Sequence, residues 1–229
     1  MSVDHSLTYK KFSLRNIIHI VRFFMIKRTS QIVFSDLEPE SYADFGCSNG
    51  YITKMVADLI KPKQAFGFDY SSNLAIASKN YPEIQFNKFD LTKSYVEFRQ
   101  FEAVTCFETL EHVGDLNQAV KNLLGAVSNG GRAIITVPIE IGFFGMLKFV
   151  IKRFIYRYPL PLSVSSQKYF WALLLGENIS EYREPAPAYS SHFGFDYRVV
   201  NKLINNSHGF KYRSFNFLGT RYYLLESVG

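Results

Sequence analysis

Cysteine is scarce in this chain of 229 residues: Cys47 and Cys106 are the two present. Two isolated thiols supply neither a disulfide framework nor the thiolate set of a structural zinc site, and they point to a reducing compartment. Long uncharged apolar runs are also missing. No stretch reaches the roughly 18 residues expected of a membrane-spanning helix, and Met1 to Lys11 lacks the basic-then-apolar layout and small-residue cleavage site of a secretory signal. A cytoplasmic protein is expected. Low-complexity tracts and repeats are absent as well, which removes the disordered and solenoid classes. Acidic residues run short, 20 against 26 lysines and arginines, for a net charge of +6. Such a balance favours an acidic partner, whether phosphate, nucleic acid or an anionic membrane surface. What is plentiful is core material: 47% of residues are hydrophobic and 17% aromatic, enough for one ordered domain.

The stretch that organises the chain is Tyr42-Ala43-Asp44-Phe45-Gly46-Cys47-Ser48-Asn49-Gly50. Tyr42 to Phe45 reads as a short buried parallel strand, and Ile52, Met55, Val56, Leu59 and Ile60 then recur with helical period. Strand, glycine turn and helix make half of a βαβ unit. Gly46 allows a sharp turn or a close approach to a ligand, and Gly50 removes a Cβ where loop meets helix. A dinucleotide turn would continue G-x-G-x-x-G, but Ser48 and Tyr51 stand at the second and third glycines, which disfavours a pyrophosphate.

The same alternation continues. Ala65 to Tyr70 is a second strand that ends in Asp69, about 20 residues past the glycines, where a carboxylate can accept from a vicinal diol or cap the turn at Ser71. Asn73 to Asn80 reads as a helix and Ile84 to Phe89 as a third strand running into Asp90-Leu91. Phe101 to Phe107 is a fourth strand leading into Glu108-Thr109-Leu110-Glu111-His112-Val113. Asp115 caps a helix over Leu116 to Val127, and Gly130-Gly131 starts a fifth strand, Arg132 to Val137, closed by Pro138. A helix over Asp196 to Asn205 precedes two strands, Tyr212 to Phe217 and Arg221 to Glu226. Repeated strand-helix units predict an α/β, doubly wound, mostly parallel sheet. Ligands of such sheets bind beyond the strands' carboxyl ends, where Gly46, Asp69, Asp90 and Glu108 should meet.

Two regions fall outside the alternation. Residues 1–39 form an N-terminal helical extension, with a helix over Leu14 to Val33 that carries Arg15, His19 and Arg22 on one narrow face. It reads as a helix over the sheet edge, or as a lid or membrane-surface contact. Residues 139–187 interrupt the domain of residues 40–229 as a helical substrate lid. Between Phe144 and Tyr158, Leu147, Val150, Ile151, Phe154 and Ile155 make an apolar arc opposite Lys148, Lys152, Arg153 and Arg157. That pattern fits a helix packed on the domain or an interfacial helix on anionic lipid. Pro159, Pro161, Pro185 and Pro187 bracket it. His5, His19 and His208 read as surface or core residues.

Asp44-x-Gly46-Cys47-x-x-Gly50 resembles motif I of the class I S-adenosylmethionine (SAM)-dependent methyltransferases. The resemblance extends over about residues 40 to 228 and implies a seven-stranded Rossmann-like sheet with an antiparallel last strand. It implies SAM as cofactor, with Asp44, Gly46, Cys47, Gly50, Asp69, Tyr70, Asp90, Leu91 and Phe107 around it. Asp69 would take the ribose and Asp90 the adenine amino group, although a loop aspartate that caps the next turn is the competing reading of Asp90. The spacing E-x-x-E-H resembles the ubiquinone-pathway O-methyltransferases and the small-RNA 2′-O-methyltransferases. By the second likeness Glu108, Glu111, His112 and His192 would hold a magnesium ion; in metal-free members of the class the Leu110 to Val113 segment lines the cofactor pocket, and there His112 or His192, with Glu108, would serve as a base or orienter. The expected function is O-methylation of a small or lipid-linked acceptor, a quinol precursor or glycan intermediate. RNA methylation and a non-catalytic partner-binding subunit are the alternatives. Phe143, Phe144, Phe149 and Phe154 lie in apolar runs rather than spaced as stacking platforms, which counts against nucleic acid.

Overall fold

A computed structural model describes residues 17–94, 99–155, 165–183 and 193–229. Strand β1 (Ser41–Phe45) is buried at all five positions, as a central parallel strand covered on both faces must be. It is flanked by β2 (Gln64–Asp69) and β4 (Phe101–Phe107), and the full order is β3-β2-β1-β4-β5-β7-β6, with β3 at Gln85–Lys88, β5 at Val127–Pro138, β6 at Phe210–Phe217 and β7 at Thr220–Ser227. β7 runs antiparallel to both neighbours, and the paired strands β1 to β5 are parallel. The chain winds outward through β2 and β3, then returns to place β4 on the other side of β1. This reversal opens a crevice at the carboxyl ends of β1 and β4.

The helices follow from capping and periodicity. α1 spans Ile17–Val33, α2 Tyr51–Ile60, α3 Leu74–Asn80, α4 Leu116–Gly125, α5 Gly142–Val150, α6 Ser166–Leu175 and α7 Tyr197–Asn205. Asp115 caps α4 as its sequence predicts, accepting from the Gln118 N–H at 2.9 Å, and Asp196 caps α7 through the Arg198 N–H at 2.9 Å. One face of the sheet packs Phe45, Phe66, Phe101 and Cys106 with Leu123 of α4 and Ile204 of α7. The other packs Tyr42, Ala103 and Ile134 with Val56 of α2 and Phe34 just beyond α1. A third cluster, Phe149, Tyr169, Ala172, Leu173 and Ile179, belongs to the insert.

Two expectations change at the fifth strand. α4 stops at Gly125 and β5 begins at Val127, because the Phe101 N–H donates to the Ala126 carbonyl at 2.7 Å and draws the chain into the sheet early. The register then jumps from Phe101↔Val127 to Ala103↔Arg132. Gly130, at φ +72°, is thus inside a bulge rather than at the start of a strand. The N-terminal helix is anchored over the sheet: Arg132 donates to the Val33 carbonyl at 2.7 Å and grips the Asp36 carboxylate, which it holds down at about 2. The Phe23 ring stacks on Tyr51, centroids 5.6 Å apart.

Candidate active site

Because Asp44 sits on a strand with no exposed face, its carboxylate has to be satisfied internally. It accepts from the Thr53 hydroxyl of α2 at 2.6 Å and from the Thr105 hydroxyl of β4 at 2.7 Å, and Thr105 is itself 2.7 Å from the Tyr42 hydroxyl. Burial pushes the Asp44 carboxyl up to about 7, with the two hydroxyls pulling the other way. The residue therefore ties three elements together beneath the turn.

The turn passes close against β4. Gly46 has φ +81°, and a Cβ there would lie 2.0 Å from Thr109 Oγ1, so any larger residue is excluded by both conformation and space. The Gly46 and Cys47 N–H groups donate to the Phe68 carbonyl at 2.7 and 3.2 Å. Gly50, φ +77°, lies under the Phe86 ring, where a Cβ would approach to 2.7 Å; the packing role expected of it is the one it fills. Cys47 is buried, and burial pushes its thiol well up, so it lines the site without thiolate reactivity.

These elements surround a cavity of about 510 Å³. Asp44, Gly46, Cys47, Asp69, Tyr70, Leu91, Phe107, Glu108, Glu111 and His112 line it, and they come from four separate strand ends. Asp69 accepts from the Ser48 N–H through one oxygen and from the Ser71 N–H through the other, both at 2.7 Å. Each oxygen keeps a lone pair for a diol, so the turn-capping and diol-binding readings are compatible. Asp90 is placed differently. Its Oδ1 accepts from the Thr92 N–H at 2.9 Å and the Thr92 hydroxyl at 2.6 Å, and among the described residues that line the cavity the neighbours Phe89 and Leu91 appear, not Asp90.

The end of β4 carries the charged groups. Glu108 is forced to φ +48°, and it and Ser48 are two cavity residues among the four described non-glycine residues in that strained region. Glu108 Oε2 lies 2.9 Å from Arg22 Nη1 of α1. Burial raises the Glu108 carboxyl, while the Arg22 and Lys148 charges pull it down. Glu111, fully buried, is pushed well up by burial and then by the Glu108 charge. Arg183 reaches from the insert to donate to the carbonyls of Glu111 at 3.1 Å and Val113 at 2.6 Å, fixing the short turn Leu110–His112 that presents His112. Burial lowers the Arg183 guanidinium.

The magnesium set predicted from sequence is not shown among the described residues. His192 lies outside the described residues. Among the described residues no group of three His, Cys, Asp or Glu side chains is arranged to hold a metal, and Glu108 already faces a guanidinium where a cation would bind.

Sequence reasoning missed part of the wall. His19, Arg22 and Ile26 of α1 line the cavity, as do Ser48, Asn49, Asn73 and Thr109. His19, expected to be a surface or core residue, is exposed at the rim. The available signal was the i, i+3, i+7 spacing of residues 19, 22 and 26, which puts them on one helix face.

Comparison with known proteins gives the site a context. Residues 43–135 match the family model of a methyltransferase domain. A ubiquinone biosynthesis O-methyltransferase of Coxiella burnetii is 26% identical over 120 residues, half of each chain, so the chain spans about half the length of the curated relatives it matches. The SAM-dependent methyltransferase from Clostridium acetobutylicum superposes with a TM-score of 0.62 at 12% identity over 98% of both chains. The magnesium protoporphyrin IX methyltransferase from Synechocystis, solved with bound S-adenosylhomocysteine (SAH), gives 0.61 at 13% identity over 97% of this chain and 92% of that one. These two share the seven-stranded Rossmann-like fold.

Proposed function

We propose that this chain is a SAM-dependent methyltransferase and that it methylates an oxygen of a small or lipid-linked acceptor, such as a quinol precursor. The carrying observation is that the Gly46 turn, Asp69 and Glu108 converge on one cavity at the reversal of the sheet. SAM, when bound, supplies an already activated methyl group. The residues fit it: Phe68, Phe89, Leu91 and Phe107 offer an apolar slot suited to a purine, and Asp69 offers free lone pairs suited to ribose hydroxyls. The distant likeness to ubiquinone O-methyltransferases supports oxygen and a quinol.

The chain's own task is the acceptor's proton. A hydroxyl becomes a competent nucleophile when a positioned base takes that proton as the new bond forms. His112 lines the cavity at half-burial, and Arg183 holds the turn that aims it. Glu108, with its proton affinity raised by burial and trimmed by Arg22, is the second candidate. His192 keeps the same candidacy from sequence alone. No step is assigned to magnesium.

Calorimetric titration with SAH, with and without magnesium and chelator, tests this reading. Micromolar binding indifferent to magnesium and weakened in Asp69→Ala is expected. No binding in any condition would leave a partner-binding subunit on a methyltransferase fold.

A further inference from the structure

We propose that the outer face of the insert, formed by α5, the π-type turn Ile151–Ile155 that continues it, and α6, docks on an anionic lipid bilayer. Each helix has one apolar face too many. α6 buries Tyr169, Ala172 and Leu173 in the insert's own cluster, which accounts for one side. Its opposite side carries Trp171, Leu174 and Leu175, exposed at 55%, 37% and 66%. α5 buries Gly145 and Phe149, while Phe143 and Phe144 (each 62%), Leu147 and then Phe154 (71%) stand in solvent. Residues 143, 147, 151 and 154 recur at helical spacing, so this is one stripe rather than scattered side chains. The arc expected from sequence thus points outward at Leu147 and Phe154. A helix apolar all round needs a second cover, and exposed apolar surface of this extent marks an interaction site.

Charge selects the occupant. Between residues 139 and 175 there are five cations, Lys148, Lys152, Arg153, Arg157 and Lys168, against one carboxylate, Glu140. Lys148 is spent on Glu140, 3.3 Å away. By sequence the segment keeps a net charge of +4, out of +6 for the whole chain. Lys168 stands one turn before Trp171 on the exposed side of α6, and Arg153 adjoins Phe154. Aromatic and leucine side chains that enter the acyl boundary, with cations among them at headgroup level, suit an interfacial helix on anionic lipid. An apolar protein groove would have no use for the cations, and a nucleic acid none for the leucines.

The surface adjoins the cavity. The charges of Lys148 and Glu140 both act on Glu108, so the root of α5 borders the site where the acceptor's proton is handled. In this respect the inference rests on the methyltransferase reading: docking would open the cavity beside the bilayer, from which a lipid-linked acceptor could enter.

The test is co-sedimentation of the full chain with vesicles of phosphatidylcholine alone, or mixed with phosphatidylglycerol, alongside SAH titration in solution. Binding to the mixed vesicles, weak binding to neutral ones and screening by salt are expected. Arg153→Gln and Lys168→Gln should each weaken partitioning about fivefold. The combined Phe143→Ser, Phe144→Ser and Phe154→Ser variant should lose more than tenfold by the apolar area it withholds. All variants should keep SAH affinity, which reports folding. Absent or charge-indifferent vesicle binding, vesicle binding unmoved by the phenylalanine changes, or salt-sensitive capture of an RNA oligomer in its place would overturn the proposal. A chain that docks but binds no SAH would sink the enzyme reading and leave the docking surface standing.

Discussion

The cavity at the strand ends and the insert beside it are built by opposite rules. In the cavity three carboxylates have named partners: Asp44 two hydroxyls, Asp69 two backbone N–H groups, Glu108 a guanidinium. The insert instead presents apolar faces, one packed on Leu173 and Tyr169 and one left in solvent. The first region is specified by hydrogen-bond geometry and the second by how much apolar surface it holds. The first should therefore be intolerant of small changes, and the second tolerant on one side only.

A matched pair of glycines tests this most severely. Gly46 and Gly142 both have positive φ, +81° and +73°. A Cβ at Gly46 collides with Thr109, whereas at Gly142 nothing lies within 4 Å. Gly142→Ala should cost only the left-handed backbone penalty of about 1 kcal/mol. Gly46→Ala adds displacement of the turn from β4, and SAH affinity should fall about a hundredfold or more, with a loss of several kcal/mol in stability. Denaturant unfolding with SAH calorimetry measures both; equal costs would erase the distinction.

Asp44 gives the next largest effect. Its folded-state carboxyl is raised to about 7 from an ordinary value of 3.8. The folded chain thus holds a proton that the unfolded chain has released, so stability is fully present below pH 4 and is lost as pH rises to 7. At about 1.4 kcal/mol per pH unit the loss approaches roughly 4 kcal/mol. Asp44→Asn cannot titrate, and its stability curve from pH 4 to 8 should be flatter by that amount. A parallel curve would mean that Asp44 is ionised throughout.

The two faces of α6 provide a smaller contrast. Leu173 is 1% exposed and Leu175 66%. Leu173→Ala should cost about 3 kcal/mol by transfer and cavity formation, and Leu175→Ala less than about 0.5 kcal/mol in the absence of lipid. Thermal unfolding in buffer reads the difference, and vesicles should stabilise the parent but not a chain stripped of its outer apolar side chains.

How much of this was legible follows the same division. Asp44, Gly46, Gly50 and Asp69 could be read because strand, tight turn and carboxylate leave few alternatives at each position. The bulge at Gly130 could not, since Gly-Gly before a β-branched run also reads as a strand start. The outward face of α5 could not, because periodicity identifies an apolar arc without saying whether the domain or the solvent receives it. Arg22 stayed hidden for a third reason: its place over the cavity is set by the Phe23–Tyr51 stack and by Arg132 gripping Val33 and Asp36, contacts about 30 and 100 residues apart in sequence.

Arg22 also gives the smallest and most selective prediction. It comes from the N-terminal helix yet acts in the cavity, where its charge holds down a Glu108 carboxyl that burial raises. The pair is partly exposed, 19% and 20% at the side chains, so Arg22→Ala should cost no more than about 1 kcal/mol in stability. Its effect on protonation should be larger in kind. With the guanidinium gone, Glu108 keeps its proton to higher pH, and if Glu108 must be ionised for turnover the acidic limb of the pH–rate profile should move to higher pH. Arg22→Lys, which restores a positive charge, should recover most of that shift. Arg153→Ala, a cation of the insert's outer face, should leave the limb in place in solution. A limb that ignores Arg22 would remove Glu108 from the proton's path and leave His112 to carry it.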